Sequence, residues 1–208
     1  MKSVITGIKA FVRAIMHALA VALNKLSGGK ISPNGVTIVG TLMHTPIAYL
    51  IATGHFVWAA ALLVVFGLFD TLDGELARLQ GTSSVRGMLL DASTDRIKEA
   101  MLYTGVAYVL ATGAHPATAA WAAAATGASI SVSYVKAKGE AAVASSGKKI
   151  PHHVLNRMFA DGFLTFEMRM VVLLVGLIAN RLAIATAVVA VGAAFTVLQR
   201  LVRITKKI

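Results

Sequence analysis

Six apolar runs, at residues 36–53, 56–79, 88–112, 118–138, 163–180 and 182–202, fill most of this 208-residue chain. Each is close to the roughly 20 residues a helix needs to cross a bilayer core. The runs are too long, and alternate too little, for half-buried strands. They predict an all-α integral membrane protein with six transmembrane helices. The composition agrees. Hydrophobic residues make up 57% and charged residues 14%, whereas soluble domains carry about 25% charge. A disordered chain is excluded. With no cysteine, so are disulfides, zinc-thiolate sites and cysteine nucleophiles. Small residues run through the segments, densest at 119–127, as expected where membrane helices pack closely.

The net charge of +11 would suggest a nucleic-acid partner in a soluble protein. Here the position of the charge explains it. With the N-terminus in the cytoplasm, Lys2, Lys9, Arg13, Lys25 and Lys30 lie inside. Arg78, Arg86, Arg96 and Lys98 lie at the second inner connection, and Lys136, Lys138, Lys148, Lys149, Arg157 and Arg169 at the third. Arg200, Arg203, Lys206 and Lys207 form an inner C-terminus, so Arg181 alone falls outside. This is the bias of the positive-inside rule. It predicts a multi-pass protein of the cell membrane with both termini cytoplasmic and no nucleic-acid partner.

The N-terminus has a different pattern. Val4, Ile5, Ile8, Phe11, Val12, Ile15, Met16 and Leu19 share one helical face, with Lys2, Lys9 and Arg13 opposite. This predicts an amphipathic helix on the membrane surface. A signal peptide would need an apolar run that these basic residues interrupt. Residues 27–33 form a turn-rich linker. Residues 1–30 are therefore read as surface helix and linker, and 31–208 as the six-helix domain.

The acidic residues carry the chemistry. Of nine in the chain, six lie between Asp70 and Glu99, in or beside the second and third runs. A charge at the centre of a membrane helix costs about 2.5–3.5 kcal/mol on insertion scales, so these residues need compensation. Asp70, Asp73, Gly74, Ala77 and Arg78 fall on one helical face, and Gly87, Asp91 and Asp95 on another. A short connection makes the two helices antiparallel neighbours, so two carboxylates from each converge near the cytoplasmic side. Four carboxylates without nearby His or Cys suit a hard divalent cation such as magnesium, which completes its shell with substrate phosphates. Asp–Arg pairing through Arg78, Arg86 or Arg96 is the plainer alternative.

From Asp70 to Asp95 these residues read D-x2-D-G-x2-A-R-x8-G-x3-D-x3-D. On that pattern the chain resembles the CDP-alcohol phosphotransferase family, whose members join a CDP-linked lipid to an alcohol and release CMP. The resemblance implies that Asp70, Asp73 and Asp91 hold one metal and Asp70, Asp91 and Asp95 a second. Magnesium is implied, two ions per site, with manganese as an alternative. It also implies Asp95 as the base for the attacking hydroxyl, Gly74 and Arg78 as nucleotide and diphosphate contacts, CDP-diacylglycerol as lipid substrate, and a homodimer.

Further stretches are similar to one branch, the prokaryotic phosphatidylinositol-phosphate synthases. They are Ser32-Pro33-Asn34-Gly35-Val36-Thr37, Ser133-Tyr134-Val135-Lys136-Ala137-Lys138-Gly139-Glu140, Gln199-Arg200-Leu201 and Asp91-Ala92-Ser93-Thr94-Asp95-Arg96. By resemblance Asn34, Gly35, Val36, Thr37, Asp73 and Ser84 touch the CDP-lipid. A phosphorylated alcohol, inositol 1-phosphate in this branch, needs basic partners, for which Lys136, Lys138, Arg169 and Arg200 are the candidates. Lys and Arg also snorkel to the cytoplasmic interface. The branch commonly has two arginines at the start of the fifth span. Here Thr165-Phe166-Glu167-Met168-Arg169 keeps one, with Arg157 as the candidate replacement. Glycerol 3-phosphate, the acceptor of phosphatidylglycerol-phosphate synthases, stays open as the alternative.

His152 and His153 sit side by side in a polar loop, where adjacent side chains point apart. A divalent-cation transporter could also use membrane carboxylates, but a pore has no need of Arg78 beside its cation site. A purely structural membrane protein leaves four membrane aspartates unexplained.

Overall fold

The computed structural model describes residues 2–145 and 162–206. Lys148, Lys149, His152, His153, Arg157 and Lys207 lie outside the described residues, as do the side chains of Lys2, Val4, Ile5, Ile8 and Lys9. The described residues are helical, with no strand among them. In chain order the helices are α1 (Lys2–Leu26), α2 (Pro33–Leu42), α3 (His44–Ala52), α4 (Phe56–Gly67), α5 (Phe69–Leu79), α6 (Val85–Ala111), α7 (Ala119–Ser145), α8 (Phe166–Ile178) and α9 (Leu182–Thr205). A short 3-10 turn, Pro116–Thr118, precedes α7.

All six apolar runs are helical. The first two are each divided, at Met43 and at Leu68. Three stretches, Pro33–Ala52, Phe56–Leu79 and Leu182–Thr205, are long and apolar enough to cross a membrane. α6 and α7 have 27 residues each, enough for about 40 Å at 1.5 Å per residue. Charges lower the hydropathy of both: Arg86, Asp91, Asp95, Arg96, Lys98 and Glu99 in α6, Lys136, Lys138 and Glu140 in α7.

The chain divides into two compact units. In the unit of Met1–Ile47 and Ala61–Lys98, α1 and α2 both pack on α5. Met16 and Ala20 of α1 meet Val36 of α2 and Leu72 and Leu76 of α5, with Val12 and Leu23 partly buried beside them. Helical spacing places residues 12, 16, 20 and 23 on one stripe. The apolar face expected to lie wholly on a membrane is thus divided. Met16 faces the protein, while Phe11, Ile15 and Leu19 stay exposed, at 68%, 42% and 45%. After α1 the chain turns through Gly28 and Gly29, both at positive φ (60° and 77°), where glycine carries no Cβ penalty. Gln80 Nε2 then donates to Asn24 Oδ1 (2.9 Å) and to the Ile31 carbonyl (3.0 Å), fastening this linker to the end of α5.

In the unit of Ala48–Ala60 and Glu99–Ile208, α9 packs along α7 and against α8. Small residues set the approach. Ala122, Ala125 and Ser129 on α7, and Ala190, Ala193 and Thr196 on α9, are buried. A Cβ at Gly139 would fall 2.7 Å from Ile204 Cδ1. A Cβ at Gly105 of α6 would collide with the carbonyl of Ala48 on α3.

Candidate metal centre

α5 and α6 bring together three of the four carboxylates expected to converge. Asp70 stands in the first turn of α5, and Asp91 and Asp95 are one turn apart on α6. Each offers an oxygen, and these oxygens lie within 4.8 Å of one another. Asp91 is exposed, while Asp70 and Asp95 are half-buried. The set is all oxygen and all anionic, so it fits a hard divalent cation.

Asp73 stands outside this group. It is buried one turn along α5, and its carboxylate accepts the Thr37 hydroxyl from α2. Thr37 Oγ1 also lies 3.2 Å from the Pro33 carbonyl, an acceptor one turn back in α2. This pair places one predicted nucleotide contact directly on a predicted metal ligand.

Sequence reasoning missed two features of this centre. Lys98, counted only as an inner positive charge, is 1% exposed. Its ammonium donates to Asp70 and lies 3.5 Å from Asp95 Oδ1. Its place three residues after Asp95 on the same helical face was the available signal. The second is Glu75, whose Oε1 accepts Arg78 Nη2 at 2.6 Å. Arg13 Nε lies 3.2 Å from the same oxygen, and His17 Nδ1 lies 3.2 Å from Oε2. The arginine predicted to meet the diphosphate is thereby held by a carboxylate that also ties down α1. Arg78 lies back over Gly74, whose added Cβ would sit 3.6 Å from both terminal guanidinium nitrogens.

Asn34 and Ser84 come together at the start of α6. The Gly87 N–H donates to Ser84 Oγ (3.1 Å), a serine cap on the helix. A Cβ at Gly87 would lie 3.4 Å from Ser84 Oγ and 3.6 Å from Asn34 Oδ1. Gly35 is exposed beside them. Val36 turns its side chain into the core, so what it offers a ligand is backbone.

The predicted acceptor residues belong to the second unit and have varied surroundings. Lys136 Nζ lies 3.8 Å from Glu140 Oε1 on α7. Lys138 is exposed, with its ammonium 5.7 Å from the Tyr134 ring centroid. Arg200 is buried on α9 and donates Nη1 to the Val132 carbonyl at 2.9 Å. Arg169 is the most buried of the four. It is 0% exposed and donates Nε and Nη2 to Glu99 at 2.7 and 3.0 Å, and Nη1 to the Leu164 carbonyl at 3.0 Å. Its guanidinium engages a buried carboxylate from α6. Glu99 follows Lys98 directly and was not singled out in the sequence.

Residues 30–198 match the family described as CDP-alcohol phosphatidyltransferase. The chain is 34% identical over 199 residues to the phosphatidylinositol phosphate synthase of Corynebacterium glutamicum, covering 91% of this chain and 84% of that protein. It is 36% identical over 77 residues to the archaetidylinositol phosphate synthase of Pyrococcus horikoshii, covering 37% of this chain and 41% of that one. Among solved structures it is similar to Mycobacterium tuberculosis phosphatidylinositol phosphate synthase with CDP-DAG bound. The TM-score is 0.77 at 26% identity, covering 92% and 94% of the two chains. The same enzyme in complex with manganese and citrate also gives 0.77 at 26% identity, covering 91% and 88%.

Proposed function

The chain belongs to the CDP-alcohol phosphatidyltransferase family, and on that premise we propose that it moves the phosphatidyl group of CDP-diacylglycerol onto inositol 1-phosphate. The products are phosphatidylinositol phosphate and CMP. The observation that carries this is the convergence of Asp70, Asp91 and Asp95 within 4.8 Å.

In the proposed reaction an inositol hydroxyl oxygen bonds to the phosphorus bearing the diacylglycerol. The bridging P–O bond to CMP breaks, and the hydroxyl proton passes to Asp95. A carboxylate at the edge of the cluster suits that task. Arg78, held by Glu75, meets the diphosphate. Asn34, Gly35, the Val36 backbone, Thr37, Gly74 and Ser84 receive the rest of the CDP group, with Asp73 fixed by Thr37. Two magnesium ions, with manganese as substitute, would be held by Asp70, Asp73, Asp91 and Asp95. When bound they supply charge neutralisation for the diphosphate and for the departing phosphate. Lys136, Lys138, Arg169 and Arg200 receive the acceptor phosphate, with Arg169 held on Glu99.

The proposal includes six membrane-crossing helices, an N-terminal helix on the membrane surface, and both termini and the site on the cytoplasmic side of the cell membrane. It also includes a homodimer. Glycerol 3-phosphate is the second reading, because Glu99 engages the one arginine of the fifth apolar run that has a counterpart in the inositol-phosphate branch.

The test is CMP release by the purified chain from CDP-diacylglycerol and magnesium, with inositol 1-phosphate, glycerol 3-phosphate, inositol and serine supplied in turn. Release with inositol 1-phosphate well above the rest supports the proposal. Release with glycerol 3-phosphate alone replaces it with the second reading.

A further inference from the structure

Resting on the metal reading above, we propose that Lys98 is a resident cation of the carboxylate cluster, competing with a divalent ion for Asp70 and Asp95. Three observations carry it. Lys98 is 1% exposed although lysine is almost never fully buried without a partner. Its ammonium donates to Asp70 and lies 3.5 Å from Asp95 Oδ1. Both carboxylates belong to the group whose oxygens lie within 4.8 Å of one another.

The placement follows from the helix. Asp91, Asp95 and Lys98 fall four and three residues apart on α6, so they share one face. Asp70 comes to that face from α5. Arg96 also reaches the cluster, with Nη2 3.5 Å from Asp95 Oδ2, but its side chain is 20% exposed. Lys98 has no such exposure. A buried ammonium is stable only while its carboxylate partners stay close. The same carboxylates would repel one another in the metal-free protein without it.

Charge arithmetic gives the consequence. Asp70, Asp73, Asp91 and Asp95, proposed above to hold the metals, carry four negative charges, and Lys98 and Arg96 offset two. The remaining two match one divalent ion. A second ion adds charge beyond balance until a diphosphate arrives. Lys98 therefore weakens metal binding to the substrate-free protein and makes full loading depend on the CDP-lipid.

The experiment is a Mn2+ titration of the full-length chain in detergent micelles, without lipid or nucleotide, following free Mn2+ by electron paramagnetic resonance. Lys98→Met, which keeps the length and removes the charge, should bind Mn2+ at least tenfold more tightly than the wild type. Lys98→Arg, which keeps the charge, should stay near the wild type. Equal or weaker binding by a folded Lys98→Met overturns the proposal. If Lys98→Met does not fold, the wild type decides. The Nζ signal of Lys98, assigned by its loss in Lys98→Arg, must shift when Mg2+ is added, and an unmoved signal overturns the proposal. A wild type that takes up no Mn2+ sinks the metal reading itself. Metal uptake without the Lys98→Met gain sinks only the role of Lys98.

Discussion

Arg169 and Glu99 grip each other by two parallel contacts, Nε to Oε1 at 2.7 Å and Nη2 to Oε2 at 3.0 Å, with both side chains 1% exposed. Removing one member of such a pair strands a buried charge, which costs about 3–5 kcal/mol. Arg169→Ala should therefore lower the thermal midpoint of the detergent-solubilised protein sharply. Exchanging both residues for leucine should recover much of the loss, since apolar replacements of buried pairs are often neutral. A stable Arg169→Ala with only a raised acceptor KM would show that Arg169 serves the acceptor and not the packing of Glu99.

Thr37 and Asp73 give a second expectation. Thr37→Val keeps the shape of the side chain but leaves the Asp73 carboxylate without its hydroxyl donor, a loss of about 1–3 kcal/mol. The KM for CDP-diacylglycerol should rise about 5- to 150-fold, at 1.4 kcal/mol per decade. Thr37→Ser should stay near the wild type, and the acceptor KM should stay unchanged in both. Steady-state kinetics with each substrate varied in turn reads the difference.

The same kinetics separates the two halves of the substrate problem. Lys136→Ala would remove the proposed charge-assisted contact to the acceptor phosphate, worth about 1.5–3 kcal/mol. That predicts an acceptor KM raised about 10- to 150-fold with little change for the CDP-lipid. Arg78→Ala should do the reverse. Matching shifts for both substrates in both variants would break the division.

Close helix packing is testable by contrast. Gly105→Ala puts a methyl into the Ala48 carbonyl, whereas Gly127→Ala meets nothing within 4 Å. The first should destabilise by about 1–3 kcal/mol, the usual range for overpacking. The second should be neutral or slightly stabilising, because alanine outranks glycine in helices by about 1 kcal/mol. Thermal unfolding of both proteins in one detergent checks the pair.

The apolar runs and the aspartate spacing were legible because both are periodic and local. Run length located the helical stretches but not the breaks at Met43 and Leu68, and an interval of four residues placed Asp91 and Asp95 on one face. What was not legible depends on partners distant in sequence. Arg169 reads as an inner cation and acceptor contact, and its pairing with a carboxylate seventy residues earlier is not visible in the local pattern. Lys98 looked like one more inner charge until Asp70 was brought beside it. The α1 face looked uniformly apolar, since periodicity cannot tell a face on lipid from one on protein. Met16 and Phe11 share its stripe yet end on opposite sides of that divide.

The most direct test of the account pairs the wild type with Asp91→Asn, both purified and shown to be folded. CDP-diacylglycerol, inositol 1-phosphate and magnesium are supplied, and CMP and the lipid product are measured together. The wild type should release CMP and phosphatidylinositol phosphate in equal amounts, with no release when magnesium is chelated. Asp91→Asn should release neither, because the cluster has lost one of its three converging carboxylates. Near-normal CMP release by a folded Asp91→Asn, or by the wild type without divalent metal, would contradict the account.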